Sequence, residues 1–336
     1  MSGPDARLVA EGPWFEELNI GDVFDGASGL TLTDGHAAVH QAILGDRLRI
    51  GLDHELGRLL TGQDRPLASP ALVWDVAIGQ STSVTHHVVA NLFYRGLSFR
   101  RAPLLGDTLR TRTEVVALRQ NSPRPDRPAT GLAALRITTT DQHGREVLDF
   151  WRCAMLPLRD PQARTGHADD MARVGAADVD IGAVTAGWRL DALQALYPRR
   201  SGPDVQAGQI WEVRGGDVVS SAPELARLTL NIARAHHDDA SGQSGRLVYG
   251  GHTIGLALSQ AVRALPDLVT VVAWHSCDHL GPVREEDTLT SVVHVEDVQP
   301  LESGRLVHLR SRVAARSTPD EAAREVLDWR FVGLLA

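Results

Sequence analysis

The stretch LTLNIARAHHDDA, residues 228–240, follows an apolar, helix-compatible run with four ionisable groups in succession, His236, His237, Asp238 and Asp239. A histidine with an ordinary pKa near neutrality can take a proton from water and return it, and a carboxylate or amide beside it can orient that water. Shortly after comes GRLVYGGHTIGLALSQAVRAL. There Gly250 and Gly251 open a long apolar helix whose first N–H groups and dipole can receive a developing oxyanion. A His-His-Asp-Asp cluster by itself more often marks a solvated helix end, with His237 exposed and His252 a partly buried structural residue. The Gly-Gly helix moves the reading of His236 towards chemistry.

The chain that must position these residues repeats itself. REVLDFW at Arg145 and REVLDWR at Arg324 lie 179 residues apart, and the Asp-Thr-Leu segments at Asp107 and Asp287 lie 180 apart. NIGDVF near Gly21 is echoed by QAGQIWEV near Gly208. A duplicated module follows, expected over residues 1–160 and 205–336 with a linker of small and acidic residues over 161–204, and a short helix near WRLDALQALY. In each copy a helix-compatible stretch (GHAAVHQAILGD, APELARLTLNIARAHHD) precedes a long apolar helix, SPALVWDVAIGQSTS from Ser69 or GGHTIGLALSQAVRAL from Gly250. Four strands with alternating polar and apolar residues come next. One helix wrapped by antiparallel strands, twice over, is an α+β plan in which two sheets pair edge to edge. Cys277 and Trp274 read as strand core, His143 as a surface turn, and the Asp-Thr-Leu segments as strand starts.

Composition narrows the classes. With 43% hydrophobic and 23% charged residues the 336-residue chain is a globular protein of two-domain length. A net charge of −8 disfavours nucleic-acid binding. All 34 basic residues are arginine, which removes Schiff-base lysine chemistry and a GxxxxGK phosphate loop. Cys153 and Cys277 are too few for a disulfide framework or a zinc site. No apolar run reaches membrane-spanning length, and the opening MSGPDARLVAEGPW lacks a secretory pattern, so a cytoplasmic protein away from membranes is expected.

WFEELNIGDVF, VANLFYRGLSFRRAPLLGDTL, REVLDFWRCAML, LNIARAHHDD and GRLVYGGHTIGLALSQAV together resemble the MaoC-like double-hotdog hydratases, and among them the bacterial mesaconyl-coenzyme A hydratases, also called β-methylmalyl-CoA dehydratases. The resemblance implies a double hotdog fold and a hydro-lyase that reversibly hydrates an enoyl-CoA thioester, mesaconyl-CoA first among candidates. Coenzyme A enters as part of the substrate, with no further cofactor and no metal, in a homodimer or larger homo-oligomer. By the same resemblance His236 falls on the catalytic histidine, Asn231 where the family usually has aspartate, and Asp238 on a commonly acidic position. Asparagine cannot act as a base. His236 is therefore expected as the acid-base group, Asn231 as a water or carbonyl positioner, and Asp238 as a second carboxylate. Gly250 and Gly251 are expected at the thioester oxygen. Arg246, Tyr249 and Arg234 are expected to bind substrate, with Arg95, Arg100 and Arg101 in neighbouring matched stretches. Copy one puts Asp46 at the aspartate position and Gly51 at the histidine position, which leaves one active site per chain; Asp46 also reads as a turn or helix cap. A hotdog thioesterase and a non-catalytic acyl-CoA-binding protein are the competing classes.

Overall fold

Long stretches in which every second residue is apolar fold as strands with one face inward. The computed structural model describes residues 8–125, 127–175, 179–192, 204–239, 245–301 and 304–335. In the first copy β1 (Val23–Phe24) and β2 (Leu30–Thr31) are short, and β3 (Ala90–Phe99), β4 (Thr108–Gln120), β5 (Thr130–Thr140) and β6 (Glu146–Pro157) are long. The second copy repeats this with β7 (Ile210–Glu212), β8 (Asp217–Val218), β9 (Leu268–His279), β10 (Thr288–Pro300), β11 (Arg305–Arg316) and β12 (Arg324–Leu335). Burial along β4 alternates until a bulge between Val115 and Ala117, and along β10 until a bulge between Val295 and Asp297. The order β1-β4-β5-β6-β3-β9-β12-β11-β10-β7 is antiparallel throughout and reads the same from either end. The copies join where β3 pairs with β9, Phe93 opposite Asp278 and Ser98 opposite Ala273. This is the double hotdog, with the expected edge-to-edge union of two sheets.

Equivalent residues do equivalent work in the two copies. Asp107 and Asp287, both buried, accept the backbone N–H of Leu104 and Arg284 and pair with Arg65 and Arg324. Asp149 and Asp328 each take a forked pair of hydrogen bonds from an arginine on the next strand, Arg136 and Arg310. The amides of Gly21 and Gly208 donate to Val115 and Val295 at 2.8 Å.

Each sheet encloses one helix. All eleven residues of α4 (Pro70–Gln80) are buried, as are twelve of the fifteen in its counterpart Gly250–Ala264, as expected for helices apolar on every side. Gln80 and Gln260 anchor them to the carbonyls of Leu109 and Leu289. Three further helices, α1 (Asp34–Leu44), α2 (Arg49–Leu52) and α3 (His54–Thr61), belong to copy one. Copy two has α5 (Ala222–Leu228), and the Gly250–Ala264 helix is α6.

The helix-compatible run of copy two does not continue into the histidines. The α5 helix stops at Leu228: Leu230 turns left-handed at φ +60°, its amide reaches the Arg227 carbonyl, and the Asn231 amide reaches back to Ala226. This is a Schellman ending with leucine where glycine is usual. The Thr229 hydroxyl, bonded back to Leu225, reinforces it. Residues 161–175 and 179–192, from the expected linker, lie along the first copy, with Gln120 donating to His167 and the Asp169 carboxylate accepting from Leu118. The expected helix near residues 188–197 falls in part on 193–197, outside the described residues.

The seam between copies is tightest at Gly79, where an added Cβ would stand 1.8 Å from the Thr229 carbonyl oxygen. Neither backbone can yield there. Gly79→Ala should cost about 1–3 kcal/mol, or roughly 2–10 °C in thermal midpoint. Gly182→Ala, with nothing within 4 Å of its added Cβ, should leave the midpoint unchanged in the same calorimetric comparison.

Candidate active site

After the Schellman turn the chain runs extended through Asn231 and closes a short 3-10 turn over Arg234–His236. Asn231 is buried, and its Oδ1 accepts the amide of Ala233 at 2.9 Å. Asp46 makes the same turn in copy one, its Oδ1 accepting from Leu48 at 2.9 Å. The two positions match in backbone role. What Asn231 retains for a ligand is its NH2, a donor.

His236 Nδ1 lies 3.0 Å from the Leu247 carbonyl oxygen. A carbonyl can only accept, so Nδ1 carries the hydrogen and Nε2 keeps its lone pair. Burial holds the imidazole down at about 4, which leaves it a neutral base near pH 7. The ring packs 5.8 Å from that of Tyr249.

Both residues line a cavity of about 330 Å³ between the copies. Copy one lends it Ile78, Thr82, Asn91, Tyr94 and Arg152; copy two lends Tyr249, Gly250, Thr253 and His279. The first turn of α6 opens onto it. No side chain caps this helix: Tyr249 is the N-cap residue and contributes no capping hydrogen bond. Copy one differs, because the Ser69 hydroxyl caps α4 and is itself held by Asp46, while Pro70 has no N–H to offer. The corresponding space there, lined by Pro70, Phe99, Ala68 and Thr270, is only about 10 Å³, roughly room for a single water.

The other expected residues divide. Tyr249 lines the cavity, but its hydroxyl donates across the seam to the Asp75 carbonyl at 3.0 Å, and Asp75 in turn meets His40 at 2.9 Å. Desolvation raises the Asp75 carboxyl, and the hydrogen bond from His40 opposes it. Gly251 faces that carboxylate and not the cavity; an added Cβ would stand 2.0 Å from Asp75 Oδ1. Asp238 does not line the cavity: half exposed, it pairs with Arg234 at 3.4 Å, so the structure gives it no place as a second acid-base carboxylate. Arg234 and Arg246 also lie outside the lining, Arg246 between Asp239 and Glu285. Arg95, Arg100 and Arg101 are paired with Asp278, Asp149 and Asp180, and Asp141. His237, expected to be exposed, is half-buried and donates from Nε2 to the Asn231 carbonyl at 2.6 Å. His252 is fully buried away from the cavity, and burial lowers it to about 4.

Among the cavity residues that escaped the sequence reading are Arg152 and His279. Nε2 of His279 is buried without a partner among the described residues, and a Cβ built on Gly250 would lie 2.8 Å from it. Burial, then the nearness of His236, lowers His279 to about 4. Sheet register reveals what singles them out. His279 opposes Leu327 where, in copy one, Phe99 opposes Leu148; Arg152 opposes Tyr94 where, in copy two, Phe331 opposes Trp274. At both positions one copy keeps a buried aromatic ring and the other has a polar group at the cavity.

No family model matches the chain. A conserved hypothetical protein from Mycobacterium tuberculosis, described as having a double hotdog fold, is 52% identical with a TM-score of 0.88, over 96% of this chain and 98% of that one. The β-methylmalyl-CoA dehydratase of Chloroflexus aurantiacus is 28% identical over 290 residues, 83% of this chain and 80% of its own length. The mesaconyl-CoA hydratase of Cereibacter sphaeroides is 27% identical over 310 residues, 90% of this chain and 89% of its own. The chain belongs to the same double-hotdog family as the mycobacterial protein, and over most of its length it is similar to two named hydro-lyases.

His236, His252 and His279 share one consequence. Their folded values near 4 lie below the ordinary 6.5, so between those pH values the unfolded chain binds more protons than the folded one. Stability is full above pH 6.5 and declines as the pH falls through that window. Calorimetry should show the thermal midpoint level from pH 7.5 to about 6.5 and dropping from there to pH 5, with a shallower slope in His252→Leu. A flat profile would contradict these assignments.

Proposed function

We propose that this protein reversibly adds water across the double bond of an enoyl-CoA thioester, with a single site per chain. One observation carries the reading: the Nε2 lone pair of His236 and the uncapped first turn of α6 serve the same cavity.

Each step follows from a group already in place. The thioester carbonyl sits at the start of α6, where the Gly250 amide and the helix dipole favour the negative charge that grows on its oxygen. His279, unpartnered beside Gly250, adds a second donor there in its Nε2–H form. Neutral His236 takes a proton from water as the oxygen attacks the β-carbon, then returns a proton to the α-carbon; dehydration is the reverse. The Asn231 NH2 orients the water or the carbonyl. Ile78, Val88, Leu92 and Val248 give the cavity apolar walls for the acyl chain.

For the acyl group we infer a short branched dicarboxylic chain, mesaconyl-CoA first. Two relatives act on such thioesters by name, and the cavity combines small volume with polar groups on its copy-one side.

Loss of the enoyl-thioester absorbance on mixing with mesaconyl-CoA, and with a straight-chain enoyl-CoA in parallel, tests the reading. His236→Ala should lower kcat by roughly 10²–10⁴-fold. The acid limb of kcat/KM for the unmodified protein should fall well below pH 6.5, because His236 stays neutral to about 4. Release of free CoA thiol in place of hydration would indicate a thioesterase. Binding without turnover would indicate a carrier of acyl thioesters.

A further inference from the structure

Arg152 is the most unusual cation among the described residues. It projects from β6, is almost completely buried, and lines the cavity. One terminal nitrogen donates to the Ser81 carbonyl and to the Thr85 hydroxyl, each at 2.9 Å, and the other lies 3.5 Å from Asn91 Oδ1. Its Nε has no acceptor, and no carboxylate pairs with it among the described residues. Burial lowers its pKa, and the groups acting on it electrostatically are Tyr94, Tyr249 and Cys153. The Nδ2 of Asn91, a second buried donor in the cavity lining, also lacks a partner.

A buried charge without a counter-ion is costly, usually by several kcal/mol, and such charges are paired or ligand-bound. The contrast within the chain sharpens the point. The register partner of Arg152 in copy two is Phe331, stacked on Trp329 with ring centroids 3.8 Å apart, so the fold accepts an aromatic ring at this position. Copy one has instead a guanidinium and an amide, each with a buried unpartnered N–H, on two residues that line the same cavity as His236. Arg246, the arginine singled out from sequence, is already paired with Glu285 and outside the lining.

We propose that Arg152 and Asn91 form the receptor for a carboxylate at the far end of the acyl chain, and so select a dicarboxylic acyl thioester over an uncharged one. This rests on the acyl-CoA reading above and names the residues that would set its substrate class. The ligand carboxylate supplies the missing counter-charge, held by donors that an uncharged chain leaves unsatisfied. Arg152 is then a specificity residue, with the chemistry left to His236.

The test uses binding, which is independent of turnover. Affinities for methylsuccinyl-CoA and 2-methylbutyryl-CoA, saturated thioesters that differ by a carboxylate in place of a methyl, are measured by isothermal titration. The unmodified protein should favour the charged ester by roughly 30-fold or more. Arg152→Met should remove the preference. Because Arg152 also ties down Ser81 and Thr85, that variant can fail to fold, and Asn91→Asp serves as the second. It gives Arg152 a carboxylate partner from the chain itself, so it should raise the thermal midpoint while abolishing the preference for the charged ester. Equal affinity of the unmodified protein for both esters would overturn the proposal, as would Asn91→Asp retaining the full preference. Either could occur while an uncharged enoyl-CoA is still hydrated, which would leave the hydratase reading standing. Hydration of neither enoyl ester would remove that reading alone.

Discussion

An α-helix begins with amides that have no acceptor within the helix, and the two halves of this protein meet that requirement in opposite ways. In copy one, Ser69 caps α4, Asp46 holds Ser69, and Pro70 removes one amide from the problem. In copy two the start of α6 carries no side-chain cap and opens onto a cavity, so its amides keep their capacity for a ligand. The remainder of the site is arranged around that helix end. Gly251 lets the helix approach Asp75, Tyr249 reaches across to the same residue, and Gly79 allows the turn before Asn231 to lie directly on α4.

Duplication lets the fold hold a polar cavity without losing its core. On the α4 side of the seam both copies contribute to a cluster of rings, Trp74, Phe99, Trp274, Trp329 and Phe331, packed at centroid distances from 3.8 to 6.4 Å. On the other side of the pseudo-symmetry His279 takes the position of Phe99, and Arg152 that of Phe331. Apolar burial on the α4 side of the seam stabilises the chain, while a buried imidazole and a buried guanidinium, one from each copy, line the cavity on the α6 side. Both copies are needed, since His236 and α6 come from the second and Arg152, Asn91 and Tyr94 from the first.

The double hotdog was legible because its signals are local and doubled: alternating strands, two apolar helices, and matched segments about 180 residues apart. The sharing of one cavity by His236 and Gly250 was legible from the motif and the Gly-Gly helix start. The helix-compatible pattern runs on to the histidines although the helix stops at Leu228, because the left-handed turn at Leu230 carries no glycine to announce it. Arg234, Arg246 and Asp238 drew attention by lying near the motif, yet sequence proximity says nothing about which way a side chain points, and solvent-side ion pairs took them. Arg152 and His279 lie far from His236 in the chain and reach it only through the sheet. Their signal was present in the repeat as an arginine opposite Phe331 and a histidine opposite Phe99, and it acquires meaning once register shows those positions to be core.

The most direct measurement is a crystal structure with a saturated acyl-CoA thioester bound. The account predicts one thioester per chain, its carbonyl oxygen within hydrogen-bond distance of the Gly250 amide and its β-carbon beside Nε2 of His236, with the corresponding space at Pro70 closed. A thioester seated at the Pro70 end, or one whose β-carbon lies out of reach of His236, would contradict it.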